Sequence, residues 1–456
     1  MSPFGMNDHD WNGLEAETVG LLSALLRADT SNPPGNETAC ALVLRNYLAH
    51  NGVPCDLVGP FPERLNLVAR VCGERPGPAF LLLGHTDVVP AEADEWAEPP
   101  FSGTVKGGYV WGRGAVDMKC QVAAEAVAVA RAARSGAHFD GELVLAATAD
   151  EERGDYCGAR WLTQNRLDLV RCDYVVNEGG GAWVPTSGHR LFTYTVGEKG
   201  YADFRIHTRG RGGHGSVPLH ERNAVELLGR AITLLAEHDL PVDITPLTAR
   251  YVDALVGDGD LGRRLKDPSR ARAAVRAMLA AGDLRGHLIE PLLGITFSPT
   301  VARAGGEAIN VIPSRAELRV DCRILPGHQP DEVEREVRAA LAPLGAAWEF
   351  EWGDVTVGNE SPHDTPLAGS IARILTAMVP DAEIVPTHLC GFTDSRWFRA
   401  GVPDVVAYGF CPFLAEDSAA MGGREHAKDE RVATADLPFQ ALFYERLVAD
   451  LLSRRP

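Results

Sequence analysis

Leu81-Leu82-Leu83-Gly84-His85-Thr86-Asp87 runs three consecutive leucines into a glycine, a histidine and an aspartate. Three aliphatic residues in a row leave no face for solvent, which is the pattern of a strand buried on both sides in a parallel sheet. Open α/β sheets build their sites just beyond the carboxyl ends of such strands, where His85 and Asp87 stand. The same arrangement returns at Leu143-Val144-Leu145-Ala146-Ala147, which leads to Asp150-Glu151-Glu152, and at Tyr174-Val175-Val176-Asn177, which leads to Glu178 and three glycines. Helical spacing appears around these strands, at Val19, Leu22, Leu25 and Leu26, at Cys40, Leu44, Tyr47 and Leu48, and in an Ala-rich run over about 119–134. The turn Asn32-Pro33-Pro34-Gly35 separates the first two helices. Helices alternating with short apolar strands predict an α/β layered domain with a largely parallel, buried sheet.

The texture changes near Gly197. Residues 201–208 alternate in part as a strand, a glycine-rich turn and a helix at about 222–237 follow, and a charged, Arg-rich helical stretch fills 260–285. Strand-like runs come at 309–312 and 316–324, and helix and strand signals resume from 331. The pattern predicts an α+β unit (197–330) inserted between two parts (1–196 and 331–456) of the first domain.

At 456 residues and 45% hydrophobic, the chain has the length for two or three domains and the composition for a large core. Its net charge of −18 argues against a nucleic-acid partner, because phosphate binding needs a basic face. Met1–Gly13 lacks the basic start and apolar core of a signal peptide, and no apolar run approaches the roughly 18 residues of a membrane span. The nine cysteines, odd in number and without a CxxC pair, read as reduced thiols of a cytoplasmic protein.

Each polar strand end has a plain reading beside a chemical one. Residues i and i+2 of an extended segment face the same way, which puts the Asp87 carboxylate behind the His85 ring, as for a metal-ligating histidine. A strand-end histidine with a capping aspartate is the alternative. Asp117, in Gly112-Arg113-Gly114-Ala115-Val116-Asp117-Met118-Lys119, is either a site carboxylate or the N-cap of the Ala-rich helix. Asp150-Glu151-Glu152 is either a solvated loop or a base next to an anionic ligand. His214, in Arg211-Gly212-Gly213-His214-Gly215-Ser216, is a turn histidine or a site residue, and Arg323 is a site cation or the ion-pair partner of Asp321. His207, His220, His388 and Asp394 read as structural.

Taken together, the ordered motifs carry a resemblance. They are GHTDVVP at 84–90, GRGAVDMK at 112–119, DEE at 150–152, NEGG at 177–180, GGHGSVP at 212–218, INVIP at 309–313, DCRILPG at 321–327 and HAKDE at 426–430. Over nearly its whole length the chain resembles the di-zinc amidohydrolase and exopeptidase family. That family includes succinyl-diaminopimelate desuccinylase, acetylornithine deacetylase, aminoacylase, carboxypeptidase S and glutamate carboxypeptidase. The resemblance implies a zinc-exopeptidase-like α/β catalytic domain with a mixed, mostly parallel sheet, and it makes the insert a lid and dimerisation domain.

It further implies that His85, Asp117 and Glu178 hold one Zn²⁺ and that Asp117, Glu152 and His426 hold the other, with Co²⁺ or Mn²⁺ as substitutes. Asp117 then bridges the ions and is followed by a cis peptide. Three carboxylates and a hydroxide balance the two Zn²⁺, which leaves Glu151 as general base and Asp87 as its catalytic neighbour beside His85. By the same resemblance, His214 stabilises the oxyanion, often across a homodimer, and Asn310 and Arg323 contact the substrate carboxylate or the intermediate. Phe392 stands where the family often has glycine, in a loop that shapes the pocket, which weakens any transfer of a named specificity. The implied activity is hydrolysis of an amide bond beside a free carboxylate, in a small peptide or an N-acyl amino acid. Hydrolytic deamination on the same site and a non-catalytic binding role are the competing readings, and the intact Glu151 and ligand set argue against the second.

Overall fold

In the computed structural model, which describes residues 4–136, 138–154, 156–186, 188–218 and 223–452, the leucine run lies in the strand Arg75–His85, with Phe80–Leu83 fully buried. That strand pairs in parallel with Asp140–Thr148 on one side and Tyr174–Asn177 on the other, and Tyr174–Asn177 pairs in parallel with Val406–Gly409. These four strands form the centre of a ten-stranded sheet. Antiparallel strands flank them, Asn66–Cys72 beside Asp140–Thr148 and Arg190–Glu198 beside Val406–Gly409. The sheet is mixed, with a parallel centre.

Alternation across the pleat sends Leu81, Leu83, Val144, Ala146 and Val175 to one face, where they pack with Ala159, Leu162 and Phe398 of the helices Ala159–Asn165 and Ser395–Gly401. The helix Lys119–Arg134 is buried from Lys119 to Ala130, because its alanines let the helices Asp8–Leu26 and Asp436–Leu451 approach closely. Covered on both faces, the central strands lose the polar alternation of an exposed sheet.

The chain divides into two compact units. The first comprises Met1–Val196, Glu360–Thr387 and Thr393–Pro456, and the second comprises Gly197–Asn359 and His388–Phe392. The second is built on a four-stranded antiparallel sheet in the order Thr296–Ala304, Arg315–Ile324, Gly200–Arg209, Trp348–Thr356. Gly200–Arg209 and Arg315–Ile324 alternate buried and half-buried positions, the mark of a sheet covered on one face. Helices Ala224–Glu237 and Pro330–Leu341 cover that face with Leu227, Leu228, Ala231, Val333, Val337 and Leu341.

The insert therefore closes at Asn359 and not at 330. The apolar stripe of Pro330–Leu341 belongs to this core, and Trp348–Thr356 completes the sheet edge by pairing with Gly200–Arg209. The Arg-rich stretch forms the helices Asp260–Leu265 and Ala271–Ala280. His220 and the first residue of the helix predicted at 222–237 lie outside the described residues. Among the described residues, no helix is long and apolar enough to cross a membrane.

Candidate metal centre

The carboxyl ends of three parallel strands bring the first unit's polar residues together. His85 closes Arg75–His85, the acidic run follows Asp140–Thr148, and Glu178 follows Tyr174–Asn177. The fourth parallel strand ends at Gly409, where a Cβ would sit 2.0 Å from the Glu178 carbonyl oxygen, so only glycine lets that strand lie against the Glu178 segment. Asp117 arrives on the loop before the helix Lys119–Arg134, and His426 on the loop before the strand Arg431–Ala433.

Asp117 does not cap its helix. The residue at the cap is Met118, without a side-chain bond, and the Asp117–Met118 peptide is cis, as the resemblance implies. The carboxylate turns inward. Its Oδ1 lies 3.0 Å from His85 Nε2 and its Oδ2 lies 3.0 Å from His426 Nε2. Glu178 stands 3.8 Å from His85 Nε2, and Glu152 stands 3.3 Å from His426 Nε2. Donor atoms of His85, Asp117 and Glu152 fall within 4.8 Å of one another, as do those of His85, Glu151 and Glu178. Glu152 thus lies near both histidines, and Glu151 gathers with His85 and Glu178.

The ring of His85 is held by the backbone of Asp87 and not by its carboxylate. Nδ1 lies 3.0 Å from the Asp87 carbonyl oxygen and 3.6 Å from Oδ1, the latter too long for a hydrogen bond. A carbonyl can only accept, so Nδ1 carries a proton, and Nε2 is the nitrogen that faces the site. The Asp87 carboxylate accepts the N–H groups of Glu151 and Glu152 (both 3.1 Å) and the amide of Asn32 (2.9 Å). The strand ends at His85, so the i, i+2 relation of an extended segment lapses before Asp87. Asp87 positions the acidic run as well as the histidine.

The electrostatics suit a cation. Asp87, Asp117, Glu151, Glu152 and Glu178 crowd beside the two histidines, Asp87 fully buried and the others half-buried. Burial, and next the charge of Glu178, drives Glu151 well above the usual carboxylate range, and burial pushes Glu178 up to about 7. Burial alone would lower His85, but Glu178 and Asp117 hold it well above its ordinary value. Hydrogen bonds to Asp117 and Glu152 push His426 up to about 10. Glu152 Oε1 is buried without a hydrogen-bond partner. A divalent ion answers both features, since it neutralises crowded carboxylates and takes the nitrogen lone pairs and the orphaned oxygen. Nitrogen and oxygen donors without cysteine fit zinc in an open, catalytic site.

Three further expected residues lie in the second unit. His214, on the short strand Gly213–His214, pairs with Val311, and Gly215 N–H donates to the Asn310 carbonyl at 2.7 Å, so His214 and Asn310 share one exposed two-stranded ladder. The N–H of Ser216 donates to His214 Nδ1 (3.2 Å), which puts the ring proton on Nε2. Arg323 donates through Nε and Nη2 to Asp321 (2.7 and 2.9 Å) and lies over the rings of Tyr201 and Phe392. The plain ion pair is present.

Sequence reasoning gave two neighbours of the site no site role, and read Asp394 as structural. Asp394 accepts the Thr148 hydroxyl at 2.6 Å and adds to the negative charge around Glu151. Asp150, at φ 62°, is gripped by Arg64, Asn32 and the N–H of Tyr156, which turns the acidic run away from the strand axis. Its place at the head of three acids is the one sequence signal for that role.

The sequence profile of Peptidase family M20/M25/M40 matches residues 81–450. A succinyl-diaminopimelate desuccinylase of Bordetella petrii is 27% identical, with 97% of this chain and 99% of that protein aligned. Among solved structures, an M20 family metallo-carboxypeptidase from Sulfolobus solfataricus superposes with a TM-score of 0.71 at 18% identity, over 96% of this chain and 99% of that one. A Bacillus subtilis protein described as a dinuclear metal-binding peptidase from the M20 family superposes with a TM-score of 0.62 at 15% identity, over 97% and 99%.

Proposed function

The chain belongs to peptidase family M20/M25/M40 and is a metallo-hydrolase of amide bonds, and on that premise we propose that it cleaves an amide bond beside a free carboxylate, in a small peptide or an N-acyl amino acid, with two zinc ions. One observation carries the two-ion reading: the two oxygens of Asp117 face two different histidines, each at 3.0 Å. His85, Asp117 and Glu178 would hold one ion, and Asp117, Glu152 and His426 the other. When bound, the ions supply Lewis-acid polarisation of the scissile carbonyl and a lowered pKa for the attacking water.

The protein's own groups divide the remaining work. Glu151 takes the proton of the attacking water and returns it to the leaving amine. It is the glutamate of the acidic run left outside both proposed ligand sets, and it gathers with His85 and Glu178. Asp87 holds the backbone of the acidic run and, through its carbonyl, the tautomer of His85. His214, with its proton on Nε2, has the donor that a developing oxyanion needs. Asn310 and Arg323 bind the substrate carboxylate, and Asp321 aims the guanidinium. A homodimer through the second unit is part of the proposal. So is a cytoplasmic location, which suits nine unpaired cysteines.

The desuccinylase relative favours an N-acyl amino acid and the carboxypeptidase neighbour a peptide, so both classes enter the test. Purified protein is expected to contain about two zinc ions per chain, to lose activity on chelation and regain it with Zn²⁺, and to scatter light as a dimer. Assays against dipeptides and N-acyl amino acids, each with an amidated control, measure the preference for a free carboxylate. Equal turnover of the amidated controls, or full activity after chelation, would refute the reading.

Arg323→Ala is expected to raise KM for free-carboxylate substrates by about 10–100-fold with little change in kcat. That is the worth of roughly 1.5–3 kcal/mol for a charge-assisted hydrogen bond. An unchanged KM ratio between free and amidated substrates rules out this role.

A further inference from the structure

Glu430 lies four residues beyond His426 and is fully buried. Its Oε1 accepts the N–H groups of Val116 (2.7 Å) and Asp117 (3.1 Å), and its Oε2 accepts the N–H of Gly114 (3.0 Å) and Nη1 of Arg113 (2.7 Å). One carboxylate therefore takes four donors from the loop that carries Asp117. Arg113, 3% exposed, gives Nη2 to the carbonyl of His426 at 3.1 Å. His426 adopts φ 58°, the left-handed region that disfavours any residue with a Cβ, so something must hold its backbone there. The N–H of Gly112 adds a bond to the Glu430 carbonyl, and Trp111 pairs with Arg431, which ties the same two segments at their bases.

We infer that the buried Arg113–Glu430 pair is a clamp between the Asp117 loop and the His426 loop, which sets the separation of those two side chains and so the affinity of the ion at Asp117, Glu152 and His426. Metal ligation tolerates only about 0.2 Å of ligand displacement, and loss of a group that orients ligands typically costs 10–100-fold in affinity. The ion at His85, Asp117 and Glu178 depends less on the clamp, because His85 is held by the Asp87 carbonyl and not by Arg113 or Glu430. Arg113 and Glu430 are positioning residues in this scheme and act through His426 and Asp117.

The inference rests on the two-ion reading, and its test separates the two. Metal-free protein is titrated with Zn²⁺ and with Co²⁺, following bound metal, the Co²⁺ visible spectrum and the thermal midpoint. An unaltered protein that binds one ion overturns the two-ion reading and the clamp with it. Given two ions in the unaltered protein, Glu430→Gln keeps the shape of the side chain but places an amide among donors. It is expected to bind one ion as before and the other about 10–100-fold more weakly, with activity recovering in excess Zn²⁺. Arg113→Lys keeps the charge but lacks the fork that reaches both Glu430 and the His426 carbonyl. It should give the same split if Glu430→Gln does not fold. Folded variants that hold both ions at the original affinities, or that loosen both equally, overturn the clamp.

Discussion

Asp117→Ala is expected to release both ions and to lower kcat/KM by at least about 10³-fold, roughly 4 kcal/mol of barrier. The argument is a ligand count. Catalytic zinc takes three protein ligands and leaves a position open, and without Asp117 each proposed ion keeps two. Glu178 and Glu152 already serve as proposed ligands, and it is Asp117 whose two oxygens each lie 3.0 Å from a histidine. Elemental analysis and turnover of the purified variant, with circular dichroism to confirm the fold, measure the effect. Two tightly held ions and full activity in Asp117→Ala would show that the bridge lies elsewhere.

The central sheet is legible in the sequence because its four parallel strands are covered on both faces, and Leu81-Leu82-Leu83 and Tyr174-Val175-Val176 have no polar side to hide the pattern. The strand Thr296–Ala304 is not legible. Its residues include serine, proline and arginine, and most of them are exposed at a sheet edge, so no apolar rhythm marks it. The end of the insert is hidden for a different reason. The apolar stripe of Pro330–Leu341 would fit a helix of either unit, and only its packing on Leu227 and Leu228 assigns it. At the site, strand-end positions mark His85, the acidic run and Glu178 as candidates, and Asp117, His426 and the ligand roles rest on the family resemblance. What the sequence conceals is backbone chemistry. The Asp87 carbonyl grips His85, and the N–H groups of Gly114, Val116 and Asp117 converge on Glu430, contacts made by atoms every residue carries.

Glu151→Gln is expected to lower kcat by about 10²–10⁴-fold, roughly 3–5 kcal/mol, while both ions and the fold survive. Glu152→Gln should instead loosen one ion. The two residues are adjacent and chemically alike, and geometry separates them. Glu152 lies 3.3 Å from His426 Nε2 and keeps a buried, unpartnered Oε1, as a ligand awaiting a cation would. Glu151 gathers with His85 and Glu178 and stands outside both proposed ligand sets. Asp87 holds both backbones by one carboxylate, Oδ1 to Glu151 and Oδ2 to Glu152, so the side chains cannot exchange places without breaking that pair of bonds. Glutamine keeps the volume and one oxygen acceptor but cannot take up a proton at neutral pH, so at 151 it removes the base and spares the packing. At 152 it removes an anionic donor from a proposed ion that would keep only two other protein ligands. Zinc content and kcat measured side by side settle the matter, and metal loss confined to the Glu151 variant would reverse the two roles.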